Sequence, residues 1–154
     1  MNYNFCILGH GKYPEGILSA LKLLAGTADG ITIFNLDEST THEAFQESVD
    51  KFLTTTERVV CFADMTGGAP HQTAARLILE KKKQHQYIVS SAPINLILDL
   101  YMQCQSGLLT DDTIELNIKK SINQAQALIQ VIPTNDELVE NSGIENNEEF
   151  DGGI

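Results

Sequence analysis

Two residues of this sequence, His10 and Asp64, have side chains suited to nucleophilic catalysis. His10 lies between Gly9 and Gly11, and these small neighbours leave its imidazole ring accessible. An attacking imidazole needs one unprotonated nitrogen, while its other nitrogen carries a proton that requires an acceptor. A carboxylate is the best acceptor, because it fixes the tautomer and stabilises the positive charge that develops on the ring. We therefore expect His10 and Asp64 to be a catalytic pair, the alternative being a surface histidine and a helix-capping aspartate.

The segment that follows Asp64, Thr66-Gly67-Gly68-Ala69-Pro70, is suited to binding an anion. Two glycines let successive backbone N–H groups point into one concavity. A proline is well placed at the start of a helix, where its missing N–H costs nothing, and the free N–H groups of that helix start attract negative charge. We predict that Thr66, Gly67, Gly68 and Ala69 bind phosphate. A plain strand-to-helix turn would look the same, but the combination with His10 and Asp64 indicates phosphoryl transfer through a phosphohistidine.

Strand-like and helix-like segments alternate along the chain and position these residues. Short apolar runs predict four strands, at Phe5–Gly9, Ile31–Phe34, Val59–Ala63 and Tyr87–Val89. Apolar residues at helical spacing predict five helices, at Pro14–Leu24, 40–53, Pro70–Leu79, Ile94–Met102 and from Asp112 to about Ile129.

Consecutive β-α units joined by short loops predict an α/β fold with an open, mainly parallel four-stranded sheet and helices on both faces. We expect the strand order 2-1-3-4, to which the C-terminal segment could add an extra edge strand. Ligands of such sheets bind outside the carboxyl ends of the strands, where the strand order reverses. Strands one and three are neighbours in this order, so His10 and Asp64 can meet.

Composition and charge restrict the classes of partner. The 154 residues suit one domain, and 42% of them are apolar, which is enough for a packed core. The net charge of −11 argues against nucleic-acid binding, which depends on clustered Lys and Arg. Seven of the 21 acids lie from Asp136 onward, which leaves 14 acids against 10 bases before it. We predict a domain over residues 1–132 and an acidic, flexible tail over residues 133–154.

Several features that are absent from the sequence bear on the location of the protein and on its cofactors. There is no signal-peptide pattern at the N-terminus and no apolar run of the length that spans a bilayer. The sequence has three cysteines, Cys6, Cys61 and Cys104, and no two of them have C-x-x-C spacing. These observations favour a cytoplasmic protein with no disulfide framework, no metal and no cofactor.

Two motifs together resemble a known family. The sequence Cys6-Ile-Leu-Gly-His10-Gly-Lys-Tyr-Pro-Glu-Gly16, followed by Phe62-Ala-Asp64-Met-Thr-Gly67-Gly68-Ala-Pro70, looks like the mannose-type IIA component (mannose/fructose/sorbose family) of the bacterial phosphoenolpyruvate-dependent sugar phosphotransferase system. The resemblance covers roughly residues 3–130. It implies that His10 accepts a phosphoryl group from phospho-HPr and passes it to a IIB component, while Asp64 orients His10.

The resemblance also implies a cytoplasmic homodimer that associates indirectly with membrane IIC and IID components. The chain carries no IIB domain, so we expect it to act as a separate protein. The apolar segment Ala127–Ile132 could cover a partner's sheet edge in the dimer. The transported sugar stays open among mannose, fructose, sorbose, gluconate and amino sugars.

This sequence departs from the family pattern at two places. Ala69 stands where family members often have a serine thought to help hold the phosphate, and Thr66 or His71 are the candidates to replace it. The loop after strand four reads Pro93-Ile94-Asn95, whereas the family usually has Asn-x-Pro order.

Two other functions fit parts of the pattern. Tetrapyrrole metal chelatases also have openings of the Gly-His-Gly-x-x-Pro-Glu type, but they need a second metal-facing residue, and only His71 is available. A non-catalytic regulatory module of the same fold is the other alternative, and it would accept no phosphate. We expect His71, His42 and His85 to be surface residues, and Cys6 and Cys61 to be buried, inert thiols.

Overall fold

The computed structural model describes residues 3–138, in which strands and helices alternate. The strands are β1 (Asn4–His10), β2 (Ile31–Leu36), β3 (Val59–Ala63) and β4 (Gln86–Ser90). The helices are α1 (Tyr13–Ala25), α2 (His42–Thr55), α3 (Ala69–Lys81), α4 (Ile94–Gln105) and α5 (Ile114–Ala127).

The four strands form one parallel sheet in the order β2-β1-β3-β4, which confirms the predicted α/β fold. Parallel pairing places the carboxyl ends of all strands at one edge of the sheet. In the register, His10 at the end of β1 is opposite Leu36 on one side, and Leu8 is opposite Ala63 on the other. The residues that follow β1 and β3 therefore lie side by side.

Helices cover both faces of the sheet, because successive side chains of each strand point to opposite sides. In β1, Phe5 and Ile7 pack into a core formed with α1, α4 and α5. Cys6 and Leu8 pack into a second core formed with α2 and α3. Two packed faces explain why the central strands β1 and β3 are buried along nearly their whole length rather than at alternate residues.

The ends of the helices follow local hydrogen bonds. The Thr41 side chain accepts the backbone N–H of Ala44 at 3.1 Å and so caps α2. Gly68 caps α3, so Pro70 occupies the second helical position rather than the first. Helix α5 begins two residues later than predicted, because the Thr113 hydroxyl accepts from the Thr110 N–H at 3.0 Å and donates to the Leu108 carbonyl, which holds the preceding turn.

The C-terminal segment forms no fifth strand up to residue 138, so the suggested extra edge strand is absent from the described part of the chain. Helix α5 ends at Ala127, two residues before the predicted end, and Leu128, Ile129, Val131 and Ile132 are exposed. The predicted boundary between domain and tail at residues 132 and 133 stays a prediction, and most of that tail (residues 139–154) lies outside the described residues. Within residues 3–138, no helix has the length and apolar character needed to cross a membrane.

Candidate functional site

The structure brings together His10 and Asp64, the two side chains that the sequence suggested as a pair. His10 is the last residue of β1, and Asp64 follows the last residue of the neighbouring strand β3. The Nδ1 atom of His10 lies 2.8 Å from Asp64 Oδ2. The His10 side chain is 45% exposed and the Asp64 side chain only 11% exposed, so the carboxylate lies beneath an accessible ring.

Asp64 is held as an ionised acceptor. Its Oδ2 also accepts the backbone N–H of His10 at 2.8 Å, and its Oδ1 accepts the backbone N–H of Met65 at 2.8 Å. Burial alone would raise the pKa of the Asp64 carboxyl, but the hydrogen bonds from His10 and Met65 outweigh it and hold that pKa below its ordinary value. Because an ionised carboxylate only accepts, Nδ1 of His10 carries a proton, and in the neutral form of the ring Nε2 therefore keeps its lone pair.

Two glycines leave the space that this pair occupies. A Cβ added at Gly9 would lie 3.0 Å from the Cβ, Cγ and Oδ2 atoms of Asp64. A Cβ added at Gly68 would lie 2.8 Å from His10 Cε1 and 2.9 Å from Met65 Cγ. The glycine before His10 makes room for the carboxylate, and the glycine of the β3–α3 loop makes room for the ring.

Three of the four predicted phosphate-binding residues lie in the β3–α3 loop and the fourth, Ala69, is the first residue of α3, but their backbone amides are not equivalent. The Thr66 N–H donates to Ser91 Oγ at 3.0 Å, and the Gly67 N–H donates to His71 Nδ1 at 3.1 Å. Among the described residues, the N–H groups of Gly68 and Ala69 have no hydrogen-bond partner. Gly68 and Ala69 therefore have the amides that are free to bind an anion, whereas those of Thr66 and Gly67 are already used.

The hydroxyl of Thr66 is engaged with the loop that follows β4. Its Oγ1 donates to Ser90 Oγ at 2.7 Å and lies 3.0 Å from Ser91 Oγ. Ser91 has a φ of 51°, in the left-handed region that non-glycine residues rarely adopt. This hydrogen bonding makes Thr66 a poor substitute for the serine that Ala69 replaces.

His10 lines an open cleft of about 760 Å³ between the β1–α1 and β2–α2 loops. Its lining includes Lys12, Ser39, Thr40 and His42, which the sequence-based site omits. The sheet topology could have predicted these residues. Strand β2 ends at the same edge of the sheet as β1, so the loop after β2 must flank the same crevice. His42 is exposed, as predicted, but it lies beside His10 in this cleft.

The other predictions for single residues are tested by burial and contacts. Cys6 and Cys61 are fully buried, and burial together with the neighbouring Cys61 raises the pKa of the Cys6 thiol well above its ordinary value, which makes that thiol unreactive. His71 is not a free surface residue, because its Nδ1 accepts the Gly67 N–H. In the part of the chain that is described, no group of three or more His, Cys, Asp or Glu side chains is arranged to hold a metal ion.

A parallel α/β sheet with a carboxylate-bound histidine at its carboxyl edge and free amides beside it is suited to placing an anionic group next to a nucleophilic ring. Residues 4–117 match the family described as the PTS system fructose IIA component, and the chain belongs to this family. Membership supports a phosphotransfer role in a sugar phosphotransferase system. No curated protein sequence matches the chain significantly.

Solved structures of similar fold include three IIA proteins. The EIIA component from Streptococcus agalactiae is 19% identical with a TM-score of 0.73, over 84% of this chain and 96% of that one. The mannose/sorbose-specific IIA subunit from Enterococcus faecalis is 13% identical with a TM-score of 0.70, over 87% and 97%. The IIA protein associated with the fucose utilization operon of Streptococcus pneumoniae is 20% identical with a TM-score of 0.69, over 86% and 94%. At sequence identities this low, the comparison with these structures shows a similar fold and nothing more.

Proposed function

We propose that this chain is a phosphocarrier that accepts a phosphoryl group from phospho-HPr on His10 Nε2 and passes it to a separate IIB component during sugar uptake. The observation that supports this proposal is the 2.8 Å contact between His10 Nδ1 and Asp64 Oδ2, which leaves Nε2 as the nucleophilic nitrogen of an exposed ring. Family membership favours this function over the chelatase alternative.

Each transfer is a displacement at phosphorus. The lone pair of His10 Nε2 forms the new N–P bond, and the bond from phosphorus to the donor's nitrogen breaks, with its electron pair returning to the donor's ring. His10 then carries positive charge, which the ionised Asp64 stabilises through the Nδ1–H bond. The Gly68 and Ala69 amides can donate to the phosphoryl oxygens, and passage to the acceptor reverses the same step.

The setting of the proposed reaction follows from the system to which the family belongs. We propose a cytoplasmic homodimer whose partners are phospho-HPr as donor and a IIB component as acceptor, with indirect association with membrane IIC and IID components. The exposed apolar side chains after α5, from Leu128 to Ile132, support a second copy as the cover for this surface.

The direct test is phosphorylation with phosphoenolpyruvate, enzyme I and HPr, followed by intact-mass measurement. We expect one acid-labile phosphoryl group on the wild-type chain and none on His10→Ala. Undiminished labelling of His10→Ala would refute the assignment of His10. A wild-type chain that stays unlabelled would refute the phosphocarrier function and favour the regulatory module.

A further inference from the structure

His71 forms a hydrogen bond with Gly67 in the β3–α3 loop. This histidine lies in the first turn of α3, and its Nδ1 accepts the Gly67 N–H at 3.1 Å. The next residue, Gln72, donates from Nε2 to the Gly67 carbonyl at 2.8 Å. Both polar groups of Gly67 are therefore held by side chains of one helical turn.

This arrangement matters because Gly67 precedes the residue that touches His10. Gly67 has a φ of 82°, and glycine has the largest freedom of any residue to leave such a conformation. The Gly68 backbone lies so close to the ring that an added Cβ would be 2.8 Å from His10 Cε1. A shift of the Gly67 peptide would therefore change the boundary against which the His10 ring rests.

The hydrogen bond also defines which form of His71 is needed. The backbone N–H of Gly67 can only donate, so Nδ1 of His71 must be unprotonated to accept it. The neutral ring then carries its proton on Nε2. The β3–α3 loop is thus held by the hydrogen-bond acceptor Nδ1 of His71. Neither the rest of the ring nor its charge is needed for this contact.

We propose that His71 is a positioning residue for phosphoryl transfer at His10, acting through the Gly67 amide and the Gly68 backbone. This inference rests on the proposed function. His71 itself does not contact the reacting nitrogen in this scheme, and its effect is on the placement of the His10 ring between Asp64 and Gly68.

The test compares two substitutions of His71. His71→Ala removes the acceptor, whereas His71→Asn places an amide oxygen close to the position of Nδ1. We expect His71→Ala to slow phosphoryl uptake from phospho-HPr about tenfold, in line with the sensitivity of transfer to small misplacements. His71→Asn should restore most of the rate, and Gln46→Ala, an exposed change on α2, should leave the rate unchanged. In ¹⁵N spectra, the Gly67 amide and the His10 ring should shift in His71→Ala and return in His71→Asn.

Each outcome decides the proposal. A wild-type rate in His71→Ala, or equally slow transfer in folded His71→Ala and His71→Asn, would overturn it. If His71→Ala does not fold, His71→Gln replaces it, because its acceptor lies one carbon further out and should not rescue the rate as Asn does. If the wild-type chain accepts no phosphoryl group, the proposed function fails, and the ¹⁵N shifts of the His10 ring decide the positioning role alone.

Discussion

Gly68→Ala tests whether the position of the His10 ring controls transfer. Gly68 has a φ of −68° and a ψ of 159°, which alanine adopts without strain, so the substitution acts mainly through its added methyl group. That Cβ would lie 2.8 Å from His10 Cε1, where carbon atoms normally approach to about 3.5–4.0 Å. The ring must therefore move by about 1 Å, which lengthens or breaks its 2.8 Å bond to Asp64.

A displacement of this size corresponds to a loss of about 100-fold in transfer rate. The loss of the preferred glycine cap should destabilise the fold by less than about 1 kcal/mol, so the protein should remain folded. Rapid-quench measurement of uptake from phospho-HPr gives the rate, and thermal unfolding gives the stability.

Gly16→Ala is the matched control, because a Cβ at Gly16 meets no atom within 4 Å. It lies within α1, where alanine should stabilise the helix by about 0.5–1 kcal/mol and leave the rate unchanged. A wild-type rate in Gly68→Ala, with unchanged ¹⁵N shifts of the His10 ring, would refute the reasoning that this glycine limits the ring.

Three further predictions concern charge, assembly and pH. Asp64→Asn should slow phosphoryl uptake by about 10- to 10⁴-fold in a rapid-quench assay with near-normal thermal unfolding, and a wild-type rate would contradict the orienting role. Light scattering at micromolar concentration should give twice the 16.9 kDa mass of one chain, and Ile129→Asp should reduce it toward the monomer; a monomeric wild-type chain would refute dimerisation. Hydrogen bonding to Arg58 lowers the pKa of the Asp111 carboxyl to about 2 in the folded protein. The ionised carboxylate therefore stabilises the fold fully above the unfolded-state pKa of about 3.9, and this stabilisation is lost as the pH falls through 2. Asp111→Asn should therefore lower Tm at pH 7, with a difference from wild type that shrinks over this acid range; a difference independent of pH would exclude the ion pair as its cause.

The pairing of His10 with Asp64 could be predicted because it depends on topology alone. Buried parallel strands are apolar over their whole length, and the short runs such as Val59–Ala63 show this directly. Once the order 2-1-3-4 is inferred, the carboxyl ends of strands one and three must be adjacent. No side-chain detail is needed to bring the two residues together.

The division of the loop amides could not be predicted, because it depends on contacts between distant residues. The Thr66 amide donates to the side chain of Ser91, 25 positions away, and Ser91 itself adopts a left-handed conformation that the sequence does not indicate. Helical spacing could have suggested His71 near Gly67, but not that its Nδ1 accepts the amide. Residue types indicate which groups can form hydrogen bonds, whereas the folded loops decide which of them are still free.

The hydroxyl groups around the site show why the proposed anion site does not depend on a serine at position 69. The Thr66 hydroxyl is bonded to Ser90, and the hydroxyls of Ser39 and Thr40 both donate to Asp37, so these side chains hold their loops in place. A backbone amide does not depend on the side chain it belongs to, and Ala69 therefore keeps the donor that a serine would have at that position. We therefore expect the proposed binding of a phosphoryl group by backbone N–H groups to tolerate substitution of Ala69 by residues other than proline, whereas any side chain at Gly68, whose hydrogen atom faces the His10 ring, should slow transfer.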